Sequence, residues 1–267
     1  MKESRISPGA FVSVARRSAF CASRWAYRGL DFLFPPLCIA CGERIGEPYA
    51  LCGKCWHAVS FVEGAVCIRC GLPFDIDTGE NTVCGGCYAE PNAFDCARAI
   101  LRYDEASKSL ILGFKHGDRL ERSPAFIGWL ERVGGVLAED ADIVVPVPLH
   151  RSRLWRRRYN QSALLAKGLA RRFDKAYGPT ALVRLRKTPS QGSMPSAKAR
   201  QRNVAGAFRV TERGKEEVRG KRVLLLDDVY TTGATLNACA RALRRAGAVR
   251  VNVLTLARVV RDRSGTL

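Results

Sequence analysis

The pattern of hydrophobic and polar positions changes near residue 95. Beyond that point, short apolar runs alternate with longer segments in which apolar residues recur at helical spacing. The uninterrupted run Val-Leu-Leu-Leu at 223–226 is typical of a parallel strand covered on both faces. Strands are predicted at 97–103, 143–147, 223–226 and 249–256, and helices at 105–114, 120–137, 159–173 and 235–246. This alternation predicts an α/β domain with a doubly wound parallel sheet.

Three further stretches have patterns of their own. Residues 1–34 are basic and have the apolar spacing of a loose amphipathic helix, which Pro35 and Pro36 would end. Residues 187–203 are rich in Ser, Pro, Gln, Lys and Arg, and they are predicted to form a long mobile loop. The expected organisation is a lead-in helix at 1–36, a small cysteine-rich domain at 37–90 and the sheet domain at 95–262.

Eight of the 11 cysteines form four Cys-x-x-Cys pairs between residues 37 and 90. The pairs follow one repeated template, since Cys-Ile-Ala-Cys-Gly is echoed by Cys-Ile-Arg-Cys-Gly, and Cys-Gly-Lys-Cys by Cys-Gly-Gly-Cys. Two such pairs supply the four thiolates of a tetrahedral zinc site, whereas secreted disulfide scaffolds rarely repeat one tight spacing. We expect a double zinc ribbon with two structural zinc ions, held by Cys38, Cys41, Cys52, Cys55, Cys67, Cys70, Cys84 and Cys87.

The spacing leaves the pairing of the cysteines open. Sequential pairing joins 38/41 with 52/55 and 67/70 with 84/87, but pairing between the two repeats also satisfies the ligand count. A redox-active dithiol is disfavoured because the pairs stand in tandem without a surrounding βαβ unit. Since all eight ligands are thiolates, no coordination position stays open for catalysis. Reduced cysteines indicate a cytoplasmic location, and neither a secretory signal nor a membrane span is expected.

The charge of the chain is concentrated in one region. The formal net charge is +19, and residues 150–210 contain 16 basic residues but a single acidic one, Asp174. Such a block predicts an anionic partner, such as pyrophosphate, a nucleotide or a nucleic acid backbone. A solvated basic surface without a partner is the alternative interpretation.

The segment 223–236, Val-Leu-Leu-Leu-Asp-Asp-Val-Tyr-Thr-Thr-Gly-Ala-Thr-Leu, is the most informative part of the sequence. It combines a buried strand, two carboxylates, a hydroxyl-rich loop and the start of a helix. Ligands of open α/β sheets bind at this edge, where loop amides and a helix N-terminus attract phosphate. Adjacent carboxylates bind sugar hydroxyls or Mg²⁺. A Walker B strand is an alternative, but the chain has no Walker A loop, and a receiver-type acidic cluster would leave the threonine-rich loop without a role.

Segment 223–236 resembles the phosphoribosyl-pyrophosphate (PRPP) signature of type I phosphoribosyltransferases. A tandem four-cysteine ribbon ahead of such a domain resembles the ComF family of competence-associated proteins. The similarity extends over about residues 35–260 and includes Val-Pro-Val-Pro-Leu-His at 145–150, the Arg-rich 151–158 with Tyr-Asn-Gln at 159–161, and Gln191 with Arg-Gln-Arg-Asn-Val at 200–204.

The resemblance implies a role for each matching residue. Asp227 and Asp228 would bind the ribose hydroxyls of PRPP, directly or through Mg²⁺, and the 5-phosphate would lie against Thr231, Thr232, Gly233, Ala234 and Thr235. The pyrophosphate side would comprise His150, Arg151, Arg156, Arg157 and Arg158, and the loop closing over the site would contain Gln191, Arg200 and Asn203. Proteins of this family are often labelled glutamine amidophosphoribosyltransferases. Glutaminase chemistry needs an N-terminal cysteine, and because this chain begins Met-Lys-Glu no such activity is expected.

The sequence thus predicts a transferase fold that binds PRPP with Mg²⁺ and is linked to DNA uptake (competence) or nucleotide metabolism. If the protein is active, the reaction would be phosphoribosyl transfer to an acceptor that the sequence does not identify. The alternative is a non-catalytic competence factor that handles single-stranded DNA, with the basic block as its surface and Trp155, Tyr159 and Phe173 as candidate stacking residues. Competence or recombination proteins are further candidate partners.

Overall fold

The computed structural model describes residues 35–79, 81–116, 119–186 and 202–260. The chain divides into two compact units, residues 1–52 and 53–267. In the first unit, Leu37 and Arg44 form an antiparallel bridge, and the amide of Ile39 donates to the carbonyl of Ala50 at 3.1 Å. The predicted helix at 1–34 and most of the predicted loop at 187–203 lie outside the described residues. The expected domain limits therefore stay a prediction.

The second unit holds the regular secondary structure of the described residues. In chain order its elements are α1 (Gly53–Ala58), α2 (Gly85–Ala89), β1 (Cys96–Arg102), α3 (Glu105–His116), a 3-10 turn (Leu120–Arg122), α4 (Ser123–Asp140), β2 (Ile143–Pro146), α5 (Arg151–Arg157), α6 (Gln161–Arg172), β3 (Ala176–Tyr177), β4 (Leu182–Arg184), β5 (Phe208–Val210), α7 (Glu212–Val218), β6 (Arg222–Tyr230), α8 (Ala234–Arg245) and β7 (Arg250–Arg258).

Five strands form one parallel sheet in the order β1-β7-β6-β2-β3. From β2 the chain continues outward to β3, whereas from β6 it continues in the opposite direction to β7. The strand order therefore reverses between β2 and β6, which is where open α/β sheets bind ligands beyond the carboxyl ends of their strands. The predicted α/β class with a doubly wound parallel sheet is confirmed.

Both faces of the sheet are covered. Successive side chains of a strand point to opposite faces, and β7 illustrates this. Leu254 lies so close to Gly134 of α4 that any larger residue at 134 would collide with it, whereas Val253 belongs to the cluster that includes Leu243 of α8. The run at 223–226 is fully buried because it lies in the centre of this arrangement, between β7 and β2.

The structure also corrects several boundaries. The strand predicted at 223–226 extends to Tyr230, so both aspartates lie within β6. The helix predicted at 120–137 is a 3-10 turn followed by α4, which has a proline in its first turn. The antiparallel pair β4–β5 was not predicted, because strands of three residues are too short to produce a periodic pattern. The seven-residue helix α7 was not predicted either.

Within the described ranges, none of the helices combines the length and the apolar character that a bilayer crossing requires.

Candidate functional site

The carboxyl ends of β2 and β6 meet at the point where the strand order reverses. The pairing of the two strands continues past β2, because the amide of Val147 donates to the carbonyl of Leu226 at 2.9 Å. Asp227 and Asp228 follow directly in β6, and both are partly buried. The two carboxylates therefore stand at the edge where ligands of this type of sheet bind.

Asp227 has a perturbed acidity. Burial, and after it the charge of Asp228, raises the pKa of Asp227 to about 7. One carboxylate oxygen accepts hydrogen bonds from the hydroxyl of Ser162 at 3.0 Å and from the amide of Asp228 at 2.9 Å. Two neighbouring carboxylates ionise together more readily when a cation lies beside them. Carboxylate oxygens are also the ligands that Mg²⁺ prefers. The donor set of the pair thus fits magnesium.

Lys115 is a site residue that the sequence analysis missed. Its Nζ lies 3.0 Å from Oδ2 of Asp228, and each side chain is only 16% exposed. Lys115 stands near the end of α3, far from the aspartates in the chain, so no local motif pointed to it. The contact places a positive charge where the resemblance places magnesium.

The start of α6 holds these parts together. Asn160 caps the helix by accepting from the amide of Ser162, and its Nδ2 donates to the carbonyl of Val147 at 3.0 Å. Gln161 is fully buried and donates to the carbonyl of Lys115 at 3.0 Å. These residues therefore fix the loop after β2, the end of α3 and, through Ser162, the carboxylate of Asp227.

The loop between β6 and α8 contains Thr231, Thr232 and Gly233, while Ala234 and Thr235 form the first turn of α8. Gly233 has φ +76°, a backbone conformation that favours glycine. A Cβ at this position would also lie 3.0 Å from the ring of Tyr230, so a side chain is disfavoured for a second reason. Oγ1 of Thr232 is buried and has no hydrogen-bond partner among the described residues. The loop thus ends at a helix N-terminus, an arrangement that attracts anions.

The residues predicted for the pyrophosphate side lie on or next to α5. His150 is the N-cap of the helix and its Nδ1 accepts from the amide of Ser152, which gives it a structural function. The sequence puts these residues together, but the side-chain partners of Asp227 and Asp228 that the described residues provide include Ser162 and Lys115. Arg151 begins the helix, Arg156 and Arg157 end it, and Arg158 is its left-handed C-cap; only Arg157 is partly buried.

Arg184, an arginine outside the predicted set, interacts electrostatically with Asp227. Burial, and after it the charge of Arg153, lowers the pKa of Arg184, whereas the charge of Asp227 opposes the shift. The guanidinium of Arg184 also lies 5.2 Å from the ring centroid of Phe208. Arg184 therefore interacts electrostatically with Arg153 of α5 and with Asp227, and it belongs to β4, a strand that the sequence did not predict.

The residues predicted for the closing loop are only partly covered. Gln191 and Arg200 lie outside the described residues, and Asn203 belongs to a helical turn at 202–204.

The cysteines form two clusters of four, with the sequential pairing. In each cluster the four Sγ atoms lie within 4.8 Å of one another. The first cluster comprises Cys38, Cys41, Cys52 and Cys55, and the second comprises Cys67, Cys70, Cys84 and Cys87. Pairing between the repeats is thereby excluded.

The chemistry of both clusters fits zinc. The amides of Cys52 and Cys84 donate to the sulfurs of Cys38 and Cys67 at 3.3 Å. Burial opposes ionisation of Cys67, but hydrogen bonds from the amides of Cys70 and Cys84 outweigh it and lower its pKa to about 6. Burial and then the neighbouring Cys70 raise the pKa of Cys87, because both disfavour a further negative charge on its sulfur. All eight predicted ligands are therefore placed as two tetrathiolate zinc sites require.

Comparisons with known proteins agree with this architecture. Residues 29–88 match the family described as double zinc ribbon domain, and residues 160–266 match the phosphoribosyl transferase domain. The DNA utilization protein YhgH of Escherichia coli (strain K12) is 32% identical over 234 residues, which is 85% of this chain and 98% of that protein. The chain belongs to the ComF family. Competence protein F of Haemophilus influenzae is a further relative, 31% identical over 83% of this chain and 90% of its own length.

A solved structure of the allosteric regulatory enzyme of purine biosynthesis is similar over 54% of this chain and 30% of that chain, with 22% identity and a TM-score of 0.36. The two family matches and the cysteine geometry show that this ComF protein combines a double zinc ribbon with a phosphoribosyl transferase domain, and its two cysteine clusters are structural zinc sites.

Proposed function

We propose that this ComF protein binds PRPP together with Mg²⁺ at the carboxyl end of β6. The observation that supports the proposal is the order of groups at the reversal of the sheet. Two adjacent carboxylates lie in the last half of the strand, a glycine with φ +76° turns the chain three residues after Tyr230, and a 12-residue helix begins immediately afterwards. A sugar phosphate presents matching groups in the same order, since its hydroxyls suit the carboxylates and its phosphate suits the helix N-terminus.

In this proposal Asp227 and Asp228 bind the ribose hydroxyls, and the amides and hydroxyls of 231–235 bind the 5-phosphate. Bound Mg²⁺ would supply positive charge to the pyrophosphate group. Lys115 then has to leave Asp228, or share it, when the ligand enters. The pyrophosphate would face the arginines at 151–158, which include Arg153, together with Arg184, because guanidinium groups supply bidentate donors for phosphate oxygens.

Phosphoribosyl transfer is the reaction that such a site would support. A nitrogen of the acceptor forms a bond to C1 of the ribose, the bond from C1 to the pyrophosphate oxygen breaks, and pyrophosphate leaves with both electrons of that bond. Fixed cationic groups stabilise the charge that develops on the leaving group. The segment 187–203 is proposed to close over the site and exclude water.

The test is a calorimetric titration of the zinc-loaded protein with PRPP in the presence and absence of Mg²⁺. We expect saturable binding that depends on magnesium. The double change Asp227→Asn with Asp228→Asn should abolish it, whereas Asp140→Asn with Asp142→Asn, a matched pair of carboxylates near the start of β2, should leave it unchanged. Equal PRPP affinity in the wild type and the Asp227/Asp228 variant would refute the site assignment.

The names of the relatives place the proposal in a cellular context. They are called DNA utilization protein and competence protein, and we infer that this chain too contributes to DNA uptake or use. The reduced cysteines support a cytoplasmic location, and we retain the limits 37–90 for the ribbon domain and 95–262 for the phosphoribosyl transferase domain as part of this proposal.

A second candidate function, handling of single-stranded DNA, is favoured by Trp155. Its side chain is 89% exposed on α5, a helix that also contains four arginines, and a base stacks on such a ring without sequence preference. Tyr159 is less suited, since its hydroxyl donates to the carbonyl of Phe114. Trp155→Ala should weaken binding of a labelled oligothymidine, whereas Leu154→Ala, an exposed aliphatic neighbour, should not. Oligothymidine affinity that is unaffected by salt would exclude this function.

A further inference from the structure

The second zinc cluster adjoins the loop that is proposed to bind phosphate. A cavity of about 330 Å³ lies between them, lined on one side by Cys70, Cys84 and Cys87 and on the other by Thr231 and Thr232. The cluster and the loop therefore belong to one local structure within the unit 53–267.

Arg258 makes the first connection between the cluster and the loop. This last residue of β7 is only 5% exposed, its Nη1 donates to the carbonyl of Cys70, and the same atom lies 3.9 Å from Sγ of Cys70. Its guanidinium carbon lies 4.9 Å from the ring centroid of Tyr230, the residue directly before the loop. Arg258 thus places a positive charge against the thiolates and packs on the strand end that leads into 231–235.

Tyr230, on which Arg258 packs, is also in contact with the turn at Gly233. A Cβ on Gly233 would lie 3.0 Å from the Tyr230 hydroxyl and ring edge, so ring and turn are in close contact. On its other side the ring packs edge-on against Phe94, with the centroids 6.1 Å apart. A displaced Tyr230 ring would therefore change the shape of the loop.

A chain of hydrogen bonds makes the second connection. Nδ2 of Asn92 donates to Sγ of Cys87 at 3.2 Å, and Nδ2 of Asn237 donates to Oδ1 of Asn92 at 2.8 Å. Oδ1 of Asn237 accepts from the amide of Ala93 at 2.6 Å. The amide of Asn237 in turn donates to the carbonyl of Gly233 at 2.8 Å, which closes the first turn of α8.

We propose that Arg258 and Asn237 are positioning residues through which the second zinc cluster sets the affinity of the loop 231–235 for the phosphate of its ligand. The proposal rests on the proposed function, because it takes that ligand to be PRPP. An intact cluster holds the carbonyl of Cys70 and the sulfur of Cys87 in place, and these are the atoms that Arg258 and Asn92 bind. Loss of the metal frees both anchors and lets the loop leave its phosphate-binding shape.

The experiment compares the two clusters in the full-length protein. Cys84→Ser removes a ligand of the second cluster, and Cys41→Ser, the same change in the first cluster, is the matched control. We expect Cys84→Ser to weaken binding of PRPP with Mg²⁺ by about tenfold or more, as is typical of coupled sites, and Cys41→Ser to leave the affinity unchanged. Equal losses in both variants, or none in either, would overturn the proposal.

A second variant separates coupling from misfolding. Asn237→Ala keeps all eight cysteine ligands, so it should still contain two zinc ions per chain and unfold cooperatively. We expect weaker PRPP binding together with faster amide exchange across 231–235. Asn237→Asp, which preserves the acceptor for Ala93, should restore part of the slow exchange. Unchanged exchange and unchanged affinity in Asn237→Ala would exclude Asn237 as a positioning residue.

The readouts also distinguish this proposal from the proposed function. If the wild-type protein does not bind PRPP at all, the proposed function fails. Amide exchange alone then tests whether the second zinc cluster is coupled to the loop 231–235. In that case protection of 231–235 must fall in Cys84→Ser and persist in Cys41→Ser. The opposite pattern would reject the coupling whatever the ligand is.

Discussion

The two cysteine clusters follow the same sequence template but have different surroundings. In the first cluster Cys41 is exposed and Cys52 and Cys55 are partly buried, whereas all four cysteines of the second are buried. In the second repeat, the carbonyl of Arg69 accepts from the amide of Ala97 in β1. A duplicated metal site can therefore serve in one copy as a surface module and in the other as part of a domain core.

The largest expected difference is in folding stability. Cys84→Ser should lower the free energy of unfolding of the sheet unit on the order of 3–5 kcal/mol, because loss of a buried structural metal ranks among the most damaging changes. Cys41→Ser should change the same transition by less than about 1 kcal/mol, since opening confined to one region leaves the rest folded. Differential scanning calorimetry measures both, with zinc content determined in parallel. Equal destabilisation by the two variants would mean that burial does not separate the clusters.

The glycine after the first knuckle of each repeat offers a finer comparison. Gly42 and Gly71 both have positive φ, but a Cβ on Gly71 would lie 2.5 Å from the carbonyl oxygen of Ala97, whereas a Cβ on Gly42 has nothing within 4 Å. Gly42→Ala should cost about 1 kcal/mol from backbone strain, and Gly71→Ala roughly 1–3 kcal/mol more from the collision. Urea unfolding of the two variants gives the difference. A smaller loss for Gly71→Ala than for Gly42→Ala contradicts the described packing.

The smallest effect concerns reactivity. A thiol-alkylating reagent applied to the folded, zinc-loaded protein should modify the exposed Cys41 before any cysteine of the second cluster, because access limits the attack. Peptide mass spectrometry after increasing reaction times follows the order of labelling. The order should disappear in denaturant, which serves as the control, and early labelling of Cys87 would show that the second cluster opens in the native protein.

Local features were predictable from the sequence. The eight ligands, the strand that contains the two aspartates and the helix after Gly233 all lie within short continuous segments, so spacing and periodicity sufficed. The family resemblance added the expected site residues, of which His150 is placed by the structure as a helix cap.

Contacts between distant segments were not predictable. Lys115 and Asp228 meet only because α3 and β6 end at the same edge of the sheet, and Arg184 approaches Asp227 from a strand of three residues. The unequal burial of the two clusters likewise depends on tertiary packing. The cysteine spacing could not predict it, because the two repeats share that spacing.

The position of β7 determines when the sheet can be completed during synthesis. β7 lies between β6 and β1, so the first strand of the sheet to leave the ribosome pairs with the strand of that sheet that is made after all the others. At ordinary translation rates, roughly ten seconds pass between the synthesis of β1 and that of its partner at 250–258. A strand edge without its partner is a template for aggregation. Messages that end before Arg250 should therefore yield insoluble fragments, because β1 and β6 then both lack the strand that pairs with them.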